Sequence, residues 1–195
     1  MFKKIIIKVY VWIVNYSRFY KYFKLYNLRS KVKIHFKMTP RFEQKTFITG
    51  LGSIKIGQQC SFGFKMGGFH SGGSIELQPR SKNSQIIIGD HVNTNNNVFI
   101  SSSNKIIIGS YTLIGQYVTI MDYEAHGIHP DSRRMIGKLG TVIIGENVWI
   151  GNNVTILKNT IIGKNTIVAA GAVVMGDFPD NVIIGGVPAK IIKNL

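Results

Sequence analysis

Isoleucine or valine recurs at every sixth position near the end of this chain: Ile144, Ile150, Ile156, Ile162, Val168 and Val174. The spacing also runs through Ile108, Ile114 and Ile120, and Ile88-Gly89 repeats the dipeptide. Gly109, Gly115, Gly145, Gly151 and Gly163 follow their aliphatic residues directly, and Ala169 takes that place after Val168. A period of six fits neither an α-helix nor a simple amphipathic strand. Self-similarity at a fixed period marks a repeat architecture, and hexapeptide repeats build a parallel β-helix.

Each hexad reads as one short strand and a tight corner, so three hexads, about 18 residues, complete one triangular coil. The aliphatic residue points inward and stacks on its counterparts. The glycine or alanine after it stands at the corner, where a larger side chain is penalised. A second inward position falls four residues after the first, at Val148, Val154, Thr160, Thr166 and Ala172, all smaller residues. Asn147, Asn152, Asn153 and Asn165 read as turn residues, since asparagine tolerates left-handed backbone. An ordinary parallel sheet needs crossovers of a dozen residues, for which the last third has no room. A β-sandwich predicts longer and less regular spacings.

Of the 195 residues, 45% are hydrophobic and 17% charged, which suits one domain with a continuous apolar interior. A single cysteine, Cys60, excludes an intramolecular disulfide framework and a cysteine-rich zinc site. It reads as a small buried hydrophobe in a reducing compartment.

The formal net charge of +15 is unevenly spread. Residues 1–37 hold ten lysines and arginines and no acid, with Tyr10, Trp12, Tyr16, Phe19 and Tyr20 among the aromatics between them. Residues 5–14 are apolar but short and interrupted by Lys8, whereas a membrane span needs about 20 apolar residues. No small-residue cleavage site follows, which argues against secretion. Two readings stay open for this basic segment. It lies on an anionic membrane surface, or it packs on the β-helix with its lysines solvated. No nucleic-acid motif accompanies the charge, and basic charge alone is not specific.

Residues 1 to about 36 read as helical. Met38-Thr39-Pro40 marks a break, because proline disfavours helix before it. The expected division is therefore a basic amphipathic segment over 1–37 and a β-helix over 38–195, with coils beginning near Ile54. Residues 63–73 are glycine-rich and less regular. The eight residues from Ile100 to Ile108 add a small step at 101–105. The larger interruption, 122–140, is a polar loop ejected from the solenoid, and such insertions often sit on a functional face.

That loop gathers His126 and His129, Arg133 and Arg134, and the acids Asp122, Glu124 and Asp131. Histidine is the side chain best matched to proton transfer near neutral pH. Asp122 or Glu124 could orient a catalytic ring. The plainer reading makes both histidines solvated loop residues. His126-x-x-His129 is a weak metal pattern with no third ligand evident, so no metal ligand is assigned.

Residues 144–154 (IGENVWIGNNV), 168–174 (VAAGAVV) and 185–190 (GGVPAK) resemble, in order and spacing, the C-terminal half of hexapeptide-repeat acetyltransferases. The subgroup is similar to galactoside and maltose O-acetyltransferases and to those of polysaccharide clusters, over roughly residues 75–195. The resemblance implies a left-handed parallel β-helix assembled as a homotrimer, with each site between subunits. It implies acetyl-CoA as donor and a sugar or glycan precursor as acceptor. His126 matches the family's catalytic histidine, and Asn95 an asparagine that holds acceptor and thioester. Asp122, Glu124 and His129 are expected on the acceptor side. Trp149, Asn152, Ala170, Lys190 and Lys193 match cofactor contacts, the lysines facing nucleotide phosphates. Two departures stand out. Many relatives have Thr-Lys where this chain has Met175-Gly176, and the N-terminal region differs from the sugar enzymes' helical cap, which helps shape the acceptor end. The expected activity is O-acetyl transfer in the cytoplasm, at the inner membrane face if the basic segment binds lipid. N-acetylation of an amino sugar, a zinc enzyme similar to γ-class carbonic anhydrases and a non-catalytic trimeric scaffold are the alternatives.

Overall fold

The computed structural model describes the backbone of residues 2–195 and the side chains of 6, 7 and 9–195. Met1 and the side chains of residues 2–5 and 8, which include Lys3, Lys4 and Lys8 of the basic segment, lie outside the described residues.

The hexads form a left-handed parallel β-helix with three faces. The first face stacks Lys33–Phe36, Ser53–Ile56, Gln85–Ile88, Lys105–Ile108 and Thr141–Ile144, all parallel and in register. The second stacks Arg41–Phe42, Ser61–Phe62, Asn93–Thr94, Leu113–Ile114, Trp149–Ile150, Ile167–Val168 and Val182–Gly186. The third stacks Thr46–Ile48, Ile75–Pro79, Phe99–Ser102 and Thr119–Met121. The longer strands Thr155–Ile162 and Val173–Phe178 turn the corner from the third face to the first.

Alternation within these strands buries one side and exposes the other, which is why a repeat of six places two residues inward per hexad. Ile88, Ile108, Ile144 and Ile162 stack on the first face, Ile114, Ile150 and Val168 on the second, and Ile100, Ile120, Ile156 and Val174 on the third, all buried. The smaller inward residues Val148, Val154, Thr160, Thr166 and Ala172 are buried as expected. Each buried Ile or Val contributes roughly 1.5–3 kcal/mol of transfer free energy.

The corner glycines answer to the closeness of neighbouring coils. A Cβ on Gly109 would stand 2.4 Å from the carbonyl carbon of Gly145. Two residues further on the backbone is left-handed: Tyr111, Asn147, Asn165 and Asn181 have φ of 62°, 54°, 57° and 58°. There Asn147 Nδ2 donates to Asn165 Oδ1 at 3.0 Å, and Asn165 Nδ2 to Asn181 Oδ1 at 2.7 Å. Asn153 is also left-handed, but Asn152 is not. The Oδ1 of Asn152 instead accepts from the Gln116 N–H at 3.0 Å, bridging two coils.

The N-terminal helix, Phe2–Tyr22, ends well before residue 36, and the first coil opens at Lys33, ahead of the break at residue 38. Phe23, just past the helix, stacks on Phe42 at 4.4 Å, and Phe42 stacks on Phe62 at 5.5 Å. Phe19 and Tyr22 pack against the same core. Earlier in the helix Ile6, Ile7, Val9, Tyr10, Val11, Trp12 and Ile13 are all exposed. Among the described residues no helix is long and apolar enough to cross a membrane. At the far end Ala189–Asn194 folds back antiparallel on Val182–Gly186.

Two segments leave the solenoid. Residues 63–73 leave between the second and third faces, and 122–140 between the third and first. The first is held from below by buried Asn96, whose Oδ1 accepts from Phe64 N–H at 2.9 Å and whose Nδ2 donates to the Phe64 and Gly68 carbonyls at 3.0 Å.

Candidate active site

The loop 122–140 is built by short-range contacts. The Gly140 N–H donates to the Asp122 carbonyl at 2.6 Å and closes its base. Tyr123 bridges Leu139 antiparallel, and the Glu124 and Gly137 backbones pair. Pro130–Ser132 forms a single 3-10 turn at the tip.

His126 is exposed on this loop, and its Nδ1 lies 2.7 Å from the Arg133 carbonyl. A carbonyl can only accept, so Nδ1 carries the hydrogen. In the neutral ring that leaves the Nε2 lone pair free, as a general base requires. Neither Asp122 nor Glu124 orients the ring. The partner is a backbone carbonyl seven residues on, which no residue-type pattern announces.

Asp122 is fully buried and does not face an acceptor. Its Oδ1 accepts from Ser103 N–H at 2.7 Å, and its Oδ2 from Ser102 Oγ at 2.6 Å and Asn104 N–H at 3.1 Å. The two extra residues between Ile100 and Ile108 thus wrap around this carboxylate. Glu124 is likewise committed elsewhere: Oε2 accepts from Lys138 N–H at 2.9 Å, and Oε1 pairs with Lys158 Nζ at 3.1 Å. The Lys138 N–H, then the Lys158 ammonium, hold its carboxyl below the ordinary glutamate range. His129 caps the 3-10 turn, its Nδ1 accepting from Asp131 N–H at 3.4 Å. These two acids, and His129 as it stands, build the loop rather than an acceptor site. Among the described residues no three His, Cys, Asp or Glu side chains converge as a metal cluster would.

The expected donor contacts lie elsewhere on the coil. Asn152 and Ala170 stand at the corner between second and third faces, where the Gly171 N–H donates to the Asn152 carbonyl at 2.9 Å. Trp149 points out from the second face, 56% exposed. It pairs with Ile167, Ile167 with Ile183, and Ile183 with Lys193, so Trp149 and Lys193 share one column. Lys190 lies opposite Gly185 on the same closing hairpin. Asn95 shares the Asn152 corner two coils earlier, beneath the 63–73 loop, and its Oδ1 accepts from Asn96 N–H at 2.8 Å. Met175-Gly176 sits at the other corner, the one that ejects the His126 loop. One chain therefore holds His126 and the Trp149–Asn152–Ala170 group on different corners of its triangle.

The outward side of the second face is apolar at mid-height, where exposed Leu113 pairs with Trp149 and exposed Tyr111 and Tyr117 flank it. Such patches on a solenoid mark interaction surfaces.

Residues 141–176 match the family model described as bacterial transferase hexapeptide (six repeats). WbbJ of Escherichia coli K12, named for O-acetyl transfer in lipopolysaccharide biosynthesis, is 38% identical over 159 residues, 75% of this chain and 74% of that protein. The chain belongs to the hexapeptide-repeat acetyltransferase family. The galactoside O-acetyltransferase of the same organism is 35% identical over 117 residues, covering 59% of this chain and 57% of that enzyme. The crystal structure of a hexapeptide-repeat acetyltransferase from Vibrio cholerae, in complex with acetyl coenzyme A, superposes with a TM-score of 0.54 and 25% identity. It covers 89% of this chain and 75% of its own. Family membership makes this chain an acyltransferase and agrees with the fold seen here.

Proposed function

We propose that this protein transfers the acetyl group of acetyl-CoA to a hydroxyl of a sugar or glycan precursor, with His126 as general base. The observation that carries this reading is the bond from His126 Nδ1–H to the Arg133 carbonyl, which leaves Nε2 to accept a proton. The acceptor hydroxyl gives its proton to Nε2 as its oxygen attacks the thioester carbonyl. The imidazolium then returns the proton to the departing CoA thiolate. Backbone N–H groups at the coil edge would stabilise the oxyanion. No acyl-enzyme is required. The names of two relatives, 38% and 35% identical to this chain, favour oxygen over nitrogen as the acceptor atom.

Trp149, with the backbones of Asn152 and Ala170, would line the pantetheine arm, and Lys190 and Lys193 would meet the phosphates. Because these groups and His126 occupy different corners, a complete site needs a second copy of the chain. The exposed apolar patch of Tyr111, Leu113, Tyr117 and Trp149 supports such packing, and a homotrimer closes it. The exposed apolar run at residues 6, 7 and 9–13, on a segment without acids, supports docking on an anionic membrane at its cytoplasmic face. Flotation with phosphatidylglycerol vesicles tests this; a full-length protein that stays at the bottom of the gradient rules it out.

The primary experiment titrates the purified protein with acetyl-CoA and then assays acetyl transfer to sugar acceptors. His126→Ala is expected to keep donor binding and lose roughly 10²–10⁴-fold in turnover, the usual worth of a general base. A folded assembly that binds no acetyl-CoA at millimolar donor would sink the assignment. Retained turnover in His126→Ala would sink the role of the histidine.

A further inference from the structure

Beneath the His126 loop lies a second cleft, about 460 Å³, lined by Arg80, Ser81, Ser103, Ile136, Gly137 and Leu139. Three of these residues belong to the catalytic loop itself. Gly137 lies so near His126 that a Cβ there would stand 2.7 Å from the His126 carbonyl oxygen. The other wall comes from the strand ends of two successive coils on the N-terminal side of that loop.

Two side chains of this cleft have no hydrogen-bonding or ionic partner among the described residues. Ser103 is buried, yet its Oγ is the one buried side-chain polar atom among the described residues without a hydrogen-bond partner. A buried hydroxyl left unpaired is a cost that folding does not need. Arg80 is exposed and forms no ion pair among the described residues. Its guanidinium nevertheless is not loose: it stands over the Tyr123 ring, 5.3 Å from the centroid. The Tyr123 hydroxyl is in turn held by Ser101 Oγ at 3.0 Å. The nearby carboxylate, Asp122, has both oxygens engaged by Ser102, Ser103 and Asn104. The cleft thus presents an oriented cation, and its wall holds Ser103, whose unpaired hydroxyl is covered in the free protein, with no acid among its lining residues.

We propose that this cleft binds an oxyanion, carboxylate or phosphate, carried by the acceptor sugar. Arg80 would take it in a forked, charge-assisted pair, and Ser103 Oγ would donate the third bond. The inference rests on the acetyl-transfer reading and makes the preferred acceptor an acidic or phosphorylated sugar. The donor contacts expected within this chain lie on later coils and at another corner, whereas the cleft opens on the earlier coils beside the His126 loop, and the acetyl-CoA titration separates acceptor from donor.

The test is calorimetric titration of the full-length protein with glucuronate, glucose 1-phosphate and glucose, with acetyl-CoA titrated separately. At least one anionic sugar is expected to bind ten times more tightly than glucose, and which of the two binds separates carboxylate from phosphate. Arg80→Gln should weaken that binding at least tenfold and leave acetyl-CoA binding unchanged. Ser103→Ala should weaken it severalfold while the free protein melts no lower than wild type, since the hydroxyl it loses was unpaired. The proposal is overturned if no anionic sugar binds, if glucose binds as well, or if Arg80→Gln binds the sugar normally. It is also overturned if Arg80→Gln weakens acetyl-CoA instead, which would move the cleft to the donor. Acetyl-CoA failing to bind while the anionic sugar binds through Arg80 would count against the transfer reaction and leave the anion site standing.

Discussion

Removing the carboxylate of Asp122 should be among the most damaging single changes in this protein, although the residue touches no substrate. Its side chain is fully buried and accepts three hydrogen bonds, from Ser103 N–H, Ser102 Oγ and Asn104 N–H. A hydrogen bond to a charged group is worth about 1.5–3 kcal/mol, and three that share one acceptor are not additive. Asp122→Ala leaves all three donors facing an empty space, and unsatisfied buried donors at about 1–3 kcal/mol each, less than additive, bring the cost to about 3–5 kcal/mol. For a chain of this length that lowers the melting temperature by roughly 10 °C. Asp122→Asn keeps the volume and one accepting oxygen but turns an NH₂ toward donors, so about half the loss is expected. Asp180 supplies the control: its Oδ1 also accepts a backbone N–H, from Lys164 at 2.8 Å, but near the surface. Asp180→Ala should cost no more than about 1 kcal/mol. Thermal and urea unfolding of the three variants at one protein concentration decides the matter. If Asp122→Ala melts alongside Asp180→Ala, the buried carboxylate does not organise the loop base and the reasoning is wrong.

Acid should loosen the His126 loop. The Glu124 carboxyl is held below its ordinary value, so its contribution is present above the unfolded pKa of about 4.3 and is lost as pH falls through the lower folded value. Limited proteolysis within 122–140 should therefore accelerate in that acid window for wild type, and Glu124→Gln should be cleaved rapidly even at neutral pH. Gly109→Ala forces a Cβ against the Gly145 backbone; the coils must separate, at about 1–3 kcal/mol, measurable by urea unfolding. Leu113→Glu puts a charge into the exposed patch beside Trp149 and should shift the assembly toward single chains in light scattering. Unchanged mass would show that this patch is not where copies meet.

The solenoid was readable because its rule is local and repeated: every inward Ile sits directly over another, so spacing alone carries the fold. The small inward residues at Val148 and Thr160 and the left-handed corners at Asn147, Asn153 and Asn165 follow from the same rule. Where the repeat stops, so does the legibility. The helix ends at Tyr22 rather than near 36 because Phe23 is drawn onto Phe42, a contact between residues 19 apart that no periodicity encodes. Within the loop, residue type pointed to His126 but not to the partner of its ring. Asp122 and Glu124 look like orienting carboxylates in one dimension, yet Asp122 is consumed by the step at 102–104 and Glu124 by Lys138 and Lys158. The orienting group, the Arg133 carbonyl, belongs to the backbone and has no letter in the sequence. The cleft at Arg80 and Ser103 was equally invisible, since it joins two strand ends that only coil stacking brings under the loop.

The aromatic stack from Phe23 through Phe42 to Phe62 has a consequence for solubility in the broad sense. A β-helix is a column of strands whose top and bottom rungs offer unpaired backbone and open hydrophobic cross-sections, the template on which fibres grow. At one end Phe19 and Phe23 lay a helix against that cross-section, and a helix cannot be extended by another strand. At the other, Ala189–Asn194 reverses direction, so the last rung no longer continues the parallel column. The protein is thus finite by construction: its repeat could in principle stack on copies of itself without limit, and both ends are shaped so that it stops.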